Sequence, residues 1–252
     1  MKRDSTARWL TAVSLLFVLT FLGGFLALSF SSLHWDWNWS AVWAYREKFL
    51  QGWLNTLLLS LSTLALSIPL GLALTAGRIG GYLPVRQFCT LIVELVRGTP
   101  LLVQILVLFY IVGSALGLEN RFFAGILILS LFEAAYFSEI FRGAWQSIPQ
   151  STLNSARAIG LTPQDTFTQI ITPLALRNCL PSLASQTASL IKDSSLLSII
   201  AVSEVTHVAQ EINAFTYSTL ESYLPLALAY LLLTAPLALL SRKWERSLAY
   251  AN

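Results

Sequence analysis

The fold class predicted is an all-α integral membrane protein with six transmembrane helices, and three observations carry it. Of 252 residues, 55% are hydrophobic and only 12% charged. A soluble domain cannot solvate that composition. Apolar stretches recur at about Trp9–Phe30, Trp53–Ala76, Cys89–Leu116, Phe122–Trp145, Leu180–Val202 and Tyr223–Leu240. Each has about the length that a helix needs to cross roughly 30 Å of hydrocarbon. The positive charges are the third observation. Lys2, Arg3 and Arg8, then Arg78 and Arg86, then Arg142, Arg157 and Arg177, then Arg242, Lys243 and Arg246 all fall on one face when six helices are counted. That face is expected to be the cytoplasm, with both termini and the polar stretch Glu133–Pro173 on it. The other face carries Glu119 with Arg121, then Glu204, Glu211 and Glu221.

The first apolar run follows three positive charges, a pattern that a signal peptide shares. It is long for the core of such a peptide and lacks a small-x-small cleavage site, so an uncleaved membrane helix is expected. Trp35, Trp37, Trp39 and Trp43 come next. Their near-alternation has the period of a strand, but beside a membrane span they fit an aromatic belt at the bilayer surface. Cys89 and Cys179 lie beside or inside apolar stretches without metal-ligand spacing and read as small buried hydrophobes.

The polar stretch Ser147–Thr172 is too hydrophilic to cross a bilayer and is well punctuated. Pro149 and Ser151 open a short helix with Leu153, Ala156 and Ile159 among its apolar and small side chains, and Gly160 stands where a helix stops. Thr162, Pro163 and Asp165 read as a new N-cap, first helical residue and capping acceptor. That second helix is expected to end near Thr172, because a following proline disfavours the α conformation. From the residues alone this is equally an ordinary helical hairpin loop.

Charge inside a membrane costs at least roughly 2.5–3 kcal/mol per group, so polar residues inside the apolar runs call for a reason. Within Glu94-Leu-Val-Arg97-Gly98-Thr99-Pro100-Leu-Leu-Val-Gln104, Thr99 and Pro100 look like an N-cap and first helical residue in the middle of a span. A helix broken there points free N–H groups into the membrane, and Arg97 with Gly98 beside them suits a carboxylate. The competing reading is an ion pair of Arg97 with Glu94, one turn earlier. Lys192 and Asp193 are adjacent in another span, so on a helix they point about 100° apart and need a polar cavity or a second subunit. In a third run, Glu139 and Arg142 are spaced to pair structurally.

Three stretches together resemble one family. Ser155-Ala156-Arg157-Ala158-Ile159-Gly160-Leu161-Thr162 with Ile171-Thr172-Pro173 resembles the EAA loop of bacterial ABC importer permeases, with Asn154-Ser155-Ala156 in place of the name-giving Glu-Ala-Ala. Val93-Glu94-Leu95-Val96-Arg97-Gly98-Thr99-Pro100-Leu101 is similar to a signature of the polar amino acid branch. Leu190-Ile191-Lys192-Asp193-Ser194-Ser195-Leu196-Leu197 resembles that branch's Lys-Asp-Thr/Ser-Ser-Leu motif, with Ser194 where threonine usually stands. Glu133-Ala134-Ala135-Tyr136, with Glu139 and Arg142, also matches. The similarity covers about residues 45 to 245.

The resemblance implies a five-helix permease core at 45–252, preceded by an N-terminal helix and Trp-rich segment at 1–44, in the inner membrane. It makes the loop at about 147–173 a cytoplasmic coupling helix docking on an ATPase subunit through Asn154, Ser155, Ala156, Arg157, Ala158, Gly160, Leu161 and Pro163. The substrate pathway would be lined by Glu94, Arg97, Gly98, Thr99, Pro100, Gln104, Lys192, Asp193, Ser194 and Ser195. The implied partners are a dimeric ATP-binding subunit, an extracytoplasmic amino-acid-binding protein, a second permease copy or relative, the amino acid and the lipid bilayer, with no nucleic acid. The chain has no Gly-x-x-x-x-Gly-Lys-Ser/Thr run, so ATP and Mg belong to the partner, and no cofactor or metal is expected here. An intramembrane protease needs a nucleophile with a base or paired carboxylates. With only His34 and His207 for bases, both on the outer face, and no filter-like run for a channel, those alternatives find little support.

Overall fold

The structure is a computed structural model that describes residues 3–31 and 36–249. All its regular elements among the described residues are helical. Two compact units divide at Asn38 and Trp39. The first holds α1, Arg3–Ser31, with Val13, Leu16, Phe17, Phe21, Phe25 and Leu28 among its exposed large apolar side chains. A helix apolar on all sides belongs in a membrane or a protein core. Trp35 lies outside the described residues, and Trp37 is exposed.

The second unit begins with α2, Trp39–Trp43, and α3, Arg46–Ile79. Along α3 runs a buried seam of Gly52, Thr56, Ser60, Thr63, Ser67, Gly71 and Thr75, spaced three or four residues apart. That spacing keeps one face of small side chains against neighbouring helices, the packing used where lipid supplies no hydrophobic drive. The partner for most of the seam is α6, Arg121–Gln146. Ser130 Oγ lies 3.4 Å from the Thr63 carbonyl, and Thr75 Oγ1 donates to the Ser138 carbonyl at 3.1 Å. These contacts make α3 and α6 parallel, so the chain between them must return across the same thickness.

That return is α4, Leu83–Gly98, and α5, Leu101–Val107, which continues as a π-helical turn over Leu108–Gly113. The chain bends by 108° between the two halves. Leu101 and Ile105 of α5 join Leu59, Ile126, Leu129 and Phe132 in the buried core, and Leu197, Ile200 and Val202 complete it.

After α6 come α7, Gln150–Ala158, and α8, Pro163–Asp165. The second helix does not end at Thr172. It widens into a π turn over Thr166–Ile171 and runs on as α9, Thr172–Asp193. A proline in an α-helix clashes with the carbonyl four residues back; the wider turn opens that space ahead of Pro173. Thr172 Oγ1 also donates to the Phe167 carbonyl at 2.8 Å. Past Asp193 the chain tightens into a 3₁₀ helix, Ser194–Ile200, turns at Ala201 with φ 57°, and forms α10, Val205–Thr216. The last helix, α11, is Thr219–Ala249. It is tied to α9 by Ser241 Oγ donating to the Pro181 carbonyl at 3.0 Å, and to α3 by Trp53 Nε1 donating to the Ala229 carbonyl at 3.2 Å.

By length and composition, Arg46–Ile79, Arg121–Gln146 and Thr219–Glu245 suit membrane crossing among the described residues, and the bent pair Leu83–Gly98 with Leu101–Gly113 makes a fourth if counted as one. The chain is thus an all-helical membrane protein.

Candidate functional site

The break in the second core helix is built differently from the sequence reading. Helix α4 ends at Gly98, Thr99 and Pro100 are both extended, and α5 starts at Leu101. Pro100, not Thr99, therefore stands at the cap position, and no side chain caps α5. The Thr99 hydroxyl turns back to donate to the Leu95 carbonyl at 2.9 Å. Gln104 folds over the break: its Nε2 lies 2.7 Å from the Val96 carbonyl, 2.8 Å from Thr99 Oγ1 and 3.1 Å from the Thr99 carbonyl. It supplies donors to carbonyls that the end of a helix leaves without partners.

Arg97 pairs across helices rather than with Glu94. Its Nη1 lies 3.7 Å from Glu139 Oε1, and its guanidinium covers the Tyr136 ring at 5.5 Å. Glu139 is a junction. Arg78 Nη1 reaches its Oε1 at 2.6 Å and Arg142 Nη2 its Oε2 at 2.6 Å. The structural pair Glu139–Arg142 is present as expected, but Arg78 and Arg97 were not foreseen in it. One carboxylate facing three guanidiniums leaves the cluster net positive, and neutral acceptors serve it too: Arg142 Nη1 donates to Gln146 Oε1 at 2.6 Å, and Arg78 Nη1 lies 3.5 Å from Ser138 Oγ.

Higher in α6, Glu133 is fully buried and accepts from Gln186 Nε2 of α9 at 2.9 Å. Its other oxygen has no hydrogen-bond partner among the described residues. At the end of α9, Lys192 is exposed, Asp193 and Ser195 are half-buried and Ser194 is buried. The two charged neighbours diverge as helix geometry requires. Ser194 Oγ donates to the Ile191 carbonyl at 2.7 Å, closing the turn where α9 becomes 3₁₀. These four residues and the Glu94–Gln104 break come from separate elements: Arg97 is joined to Glu139 and Glu133 to Gln186, and among the described residues no hydrogen bond or ion pair joins the two motifs to each other.

The loop between α7 and α8 follows the expected plan. Gly160 has φ +79°, the left-handed conformation. Gly160 N donates to the Arg157 carbonyl at 3.0 Å and Leu161 N to the Ala156 carbonyl at 3.1 Å, which is the Schellman end of a helix. Thr162 caps α8, its Oγ1 accepting from Asp165 N at 3.1 Å and donating to Asp165 Oδ2 at 2.5 Å. Asp165 thus bonds the cap's hydroxyl. Among the apolar residues of α7, only Ala156 is buried; Leu153 is half-buried and Ile159 points outward, 75% exposed. Asn154, Ser155, Arg157 and Ala158 are exposed with it, Leu161 is half-buried, and Pro163 is exposed. The unit sits on the ends of α6 and α9: the Trp145 and Phe167 rings are 5.7 Å apart, and Asn178 Nδ2 donates to Ser147 Oγ at 3.0 Å. Between these helices lies a cavity of about 890 Å³, lined by Glu139, Gly143, Ser147, Thr152, Arg177 and Asn178 among others.

At the opposite end, Glu204 is fully buried and caps α10 by accepting from Thr206 N at 2.8 Å and His207 N at 2.7 Å. Tyr230 Oη of α11 donates to the same carboxylate at 2.9 Å. Only its place two residues before Thr206, as an acidic N-cap, signalled this in the sequence. Among the described residues, no group of three or more His, Cys, Asp or Glu side chains is placed to hold a metal ion.

Comparison with known proteins agrees with this geometry. Residues 67–250 match the family described as binding-protein-dependent transport system inner membrane component. The glutamine transport system permease protein GlnP of Escherichia coli is 33% identical over 83% of this chain and 96% of its own. The probable glutamine ABC transporter permease protein GlnM of Bacillus subtilis is 32% identical over 80% and 95%. Among solved structures, an amino acid ABC transporter with histidines superposes with a TM-score of 0.78 at 28% identity, over 84% of this chain and 100% of that one. The MetNI methionine ABC transporter shares the fold alone, with a TM-score of 0.63 at 16% identity over 82% and 96%. The chain belongs to the binding-protein-dependent transport system inner membrane components, the membrane permease subunits of ATP-driven importers.

Proposed function

We propose that this permease passes polar amino acids inward, taking them from an extracytoplasmic binding protein. ATP hydrolysis occurs in a separate dimeric subunit that docks on α7. The observation that carries the docking part is the outward Ile159 beside the left-handed Gly160, at the end of α7. An exposed apolar side chain at the end of a short helix suits a groove in a partner. The amino acid part rests on named relatives that carry glutamine, arginine and nopaline.

In this reading six helices cross the inner membrane. They are α1, α3, the broken pair α4–α5, α6, α9 with its 3₁₀ extension, and α11, with domain limits at 1–44 and 45–252. The parallel α3 and α6 end together near Arg78 and Arg142, and both termini and α7 lie on that cytoplasmic side. Glu94, Arg97, Gly98, Thr99, Pro100, Gln104, Lys192, Asp193, Ser194 and Ser195 line the pathway, which is completed by a second permease. Arg97 receives the α-carboxylate, trading its 3.7 Å contact with Glu139 for the substrate.

Reconstitution tests the whole reading. The chain is co-expressed with its ATPase, placed in liposomes with the binding protein, and assayed for ATP hydrolysis with acidic, basic and amide amino acids. Stimulation by one group supports it and names the side-chain class. Stable assembly without stimulation by any amino acid removes the substrate assignment, and failure to assemble removes the role of α7.

A further inference from the structure

We propose that the cleft between α3, α4 and α6 holds the phosphate headgroup of an anionic phospholipid. The cleft is a cavity of about 620 Å³ lined by Arg78, Arg86, Thr90, Leu91, Glu94 and Arg142 among others. Three guanidiniums from three helices converge on it. Arg78 and Arg142 share the single carboxylate of Glu139. Arg142 Nε is buried without a partner among the described residues. The Arg86 side chain is exposed and forms no ion pair or hydrogen bond among them. The one carboxylate on the rim, Glu94, lies two helical turns from Arg86, about 12 Å along the axis. The Arg86 end of the cleft is therefore positive and open.

Position and hydrophobicity select the ligand. Arg78 stands in the last turn of α3, Arg86 in the first turn of α4, and Arg142 four residues before the end of α6. Two parallel membrane-crossing helices end here, which is the depth of lipid headgroups. On α4, Leu91 lines the cavity, and Phe88, Leu91 and Leu95 are exposed. A soluble anion has no use for that apolar strip; an acyl chain does. Basic pockets between membrane helices at one face are the common form of anionic headgroup sites. The inference does not depend on which solute the permease carries.

The test uses the full chain purified in mild detergent, titrated with phosphatidylglycerol, phosphatidylcholine or inorganic phosphate, with bound lipid counted by native mass spectrometry. Saturable phosphatidylglycerol binding is expected, weaker for phosphatidylcholine and not displaced by inorganic phosphate. Arg86→Gln should weaken it about fivefold, since one arginine at a membrane surface contributes about 1 kcal/mol toward anionic lipid. Arg121→Gln, at the other end of α6, should leave it unchanged. Because the Arg86 side chain holds nothing among the described residues, its variant should melt like the parent, which separates lost binding from lost folding. Equal phosphatidylglycerol binding by parent and Arg86→Gln, equal retention of phosphatidylcholine, or displacement by inorganic phosphate overturns the proposal. So does self-association that excludes lipid, because a second copy would then cover the strip.

Discussion

Two Thr-Pro pairs in this chain look alike and behave differently. Thr162 caps the helix that Pro163 begins, with Asp165 three residues on to bond its hydroxyl. Thr99 is followed by Leu101, Leu102 and Val103, which offer no such acceptor, and its hydroxyl goes back to Leu95 instead. The signal that distinguishes them is the residue three places after the threonine, which in the second pair is not an acceptor at all. The family resemblance makes Gln104 a pathway residue; the structure also gives it the carbonyls at the end of α4. Gln104→Leu, close in size, leaves those carbonyls without donors and is expected to destabilise the chain by about 1–3 kcal/mol, seen as earlier thermal loss of the monodisperse species. The partner of Arg97 was beyond the sequence for a different reason. Glu94 is near in the chain, whereas Glu139 is 42 residues away and meets Arg97 only through tertiary packing.

The apolar runs were legible because length and composition decide them, and α3 and α6 contain the spans expected, while α4 and α9 begin six and eight residues before theirs. The seam of small residues on α3 was present in the sequence at helical spacing, yet nothing there named α6 as its partner. At Gly71 an added Cβ would lie 2.8 Å from Phe137 Cβ and 3.1 Å from the Ala134 carbonyl. Gly71→Leu is therefore expected to force α3 and α6 apart and cost about 1–3 kcal/mol or more, visible as low yield and faster proteolysis in membranes. Gly160 poses the opposite case, since a Cβ there meets nothing within 4 Å. Gly160→Asp bears only the backbone cost of a left-handed residue, about 1–2 kcal/mol. It should keep its fold but lose ATP-driven uptake and ATPase retention on an affinity column. Pro173 misled the reading at this scale. Pattern rules treat a proline as a stop, while a π turn ahead of it lets the helix continue.

For the molecule as a whole, the charge asymmetry and the parallel α3 and α6 concur. Arg78 and Arg142 arrive at one end because both helices run the same way, and the bent return through α4 and α5 makes that possible. The pathway assignment has its own test at this scale. Arg97→Ala should lower the apparent affinity for substrate-driven uptake by about tenfold or more, the loss of a charged hydrogen bond of about 1.5–3 kcal/mol, while leaving the ATPase complex intact. Unchanged uptake would make Arg97 a structural partner of Glu139 alone. The continuity of residues 163–193 has a mechanical meaning. From Pro163 to Asp193 the chain is helical without a break, roughly 45 Å of α8, π turn and α9. Its lower end lies where the ATPase is proposed to grip, and its upper end carries Lys192 and Asp193. On the proposed docking, a displacement of α7 would meet no loop between Pro163 and Asp193 in which to be absorbed, much as a key turns a distant bolt.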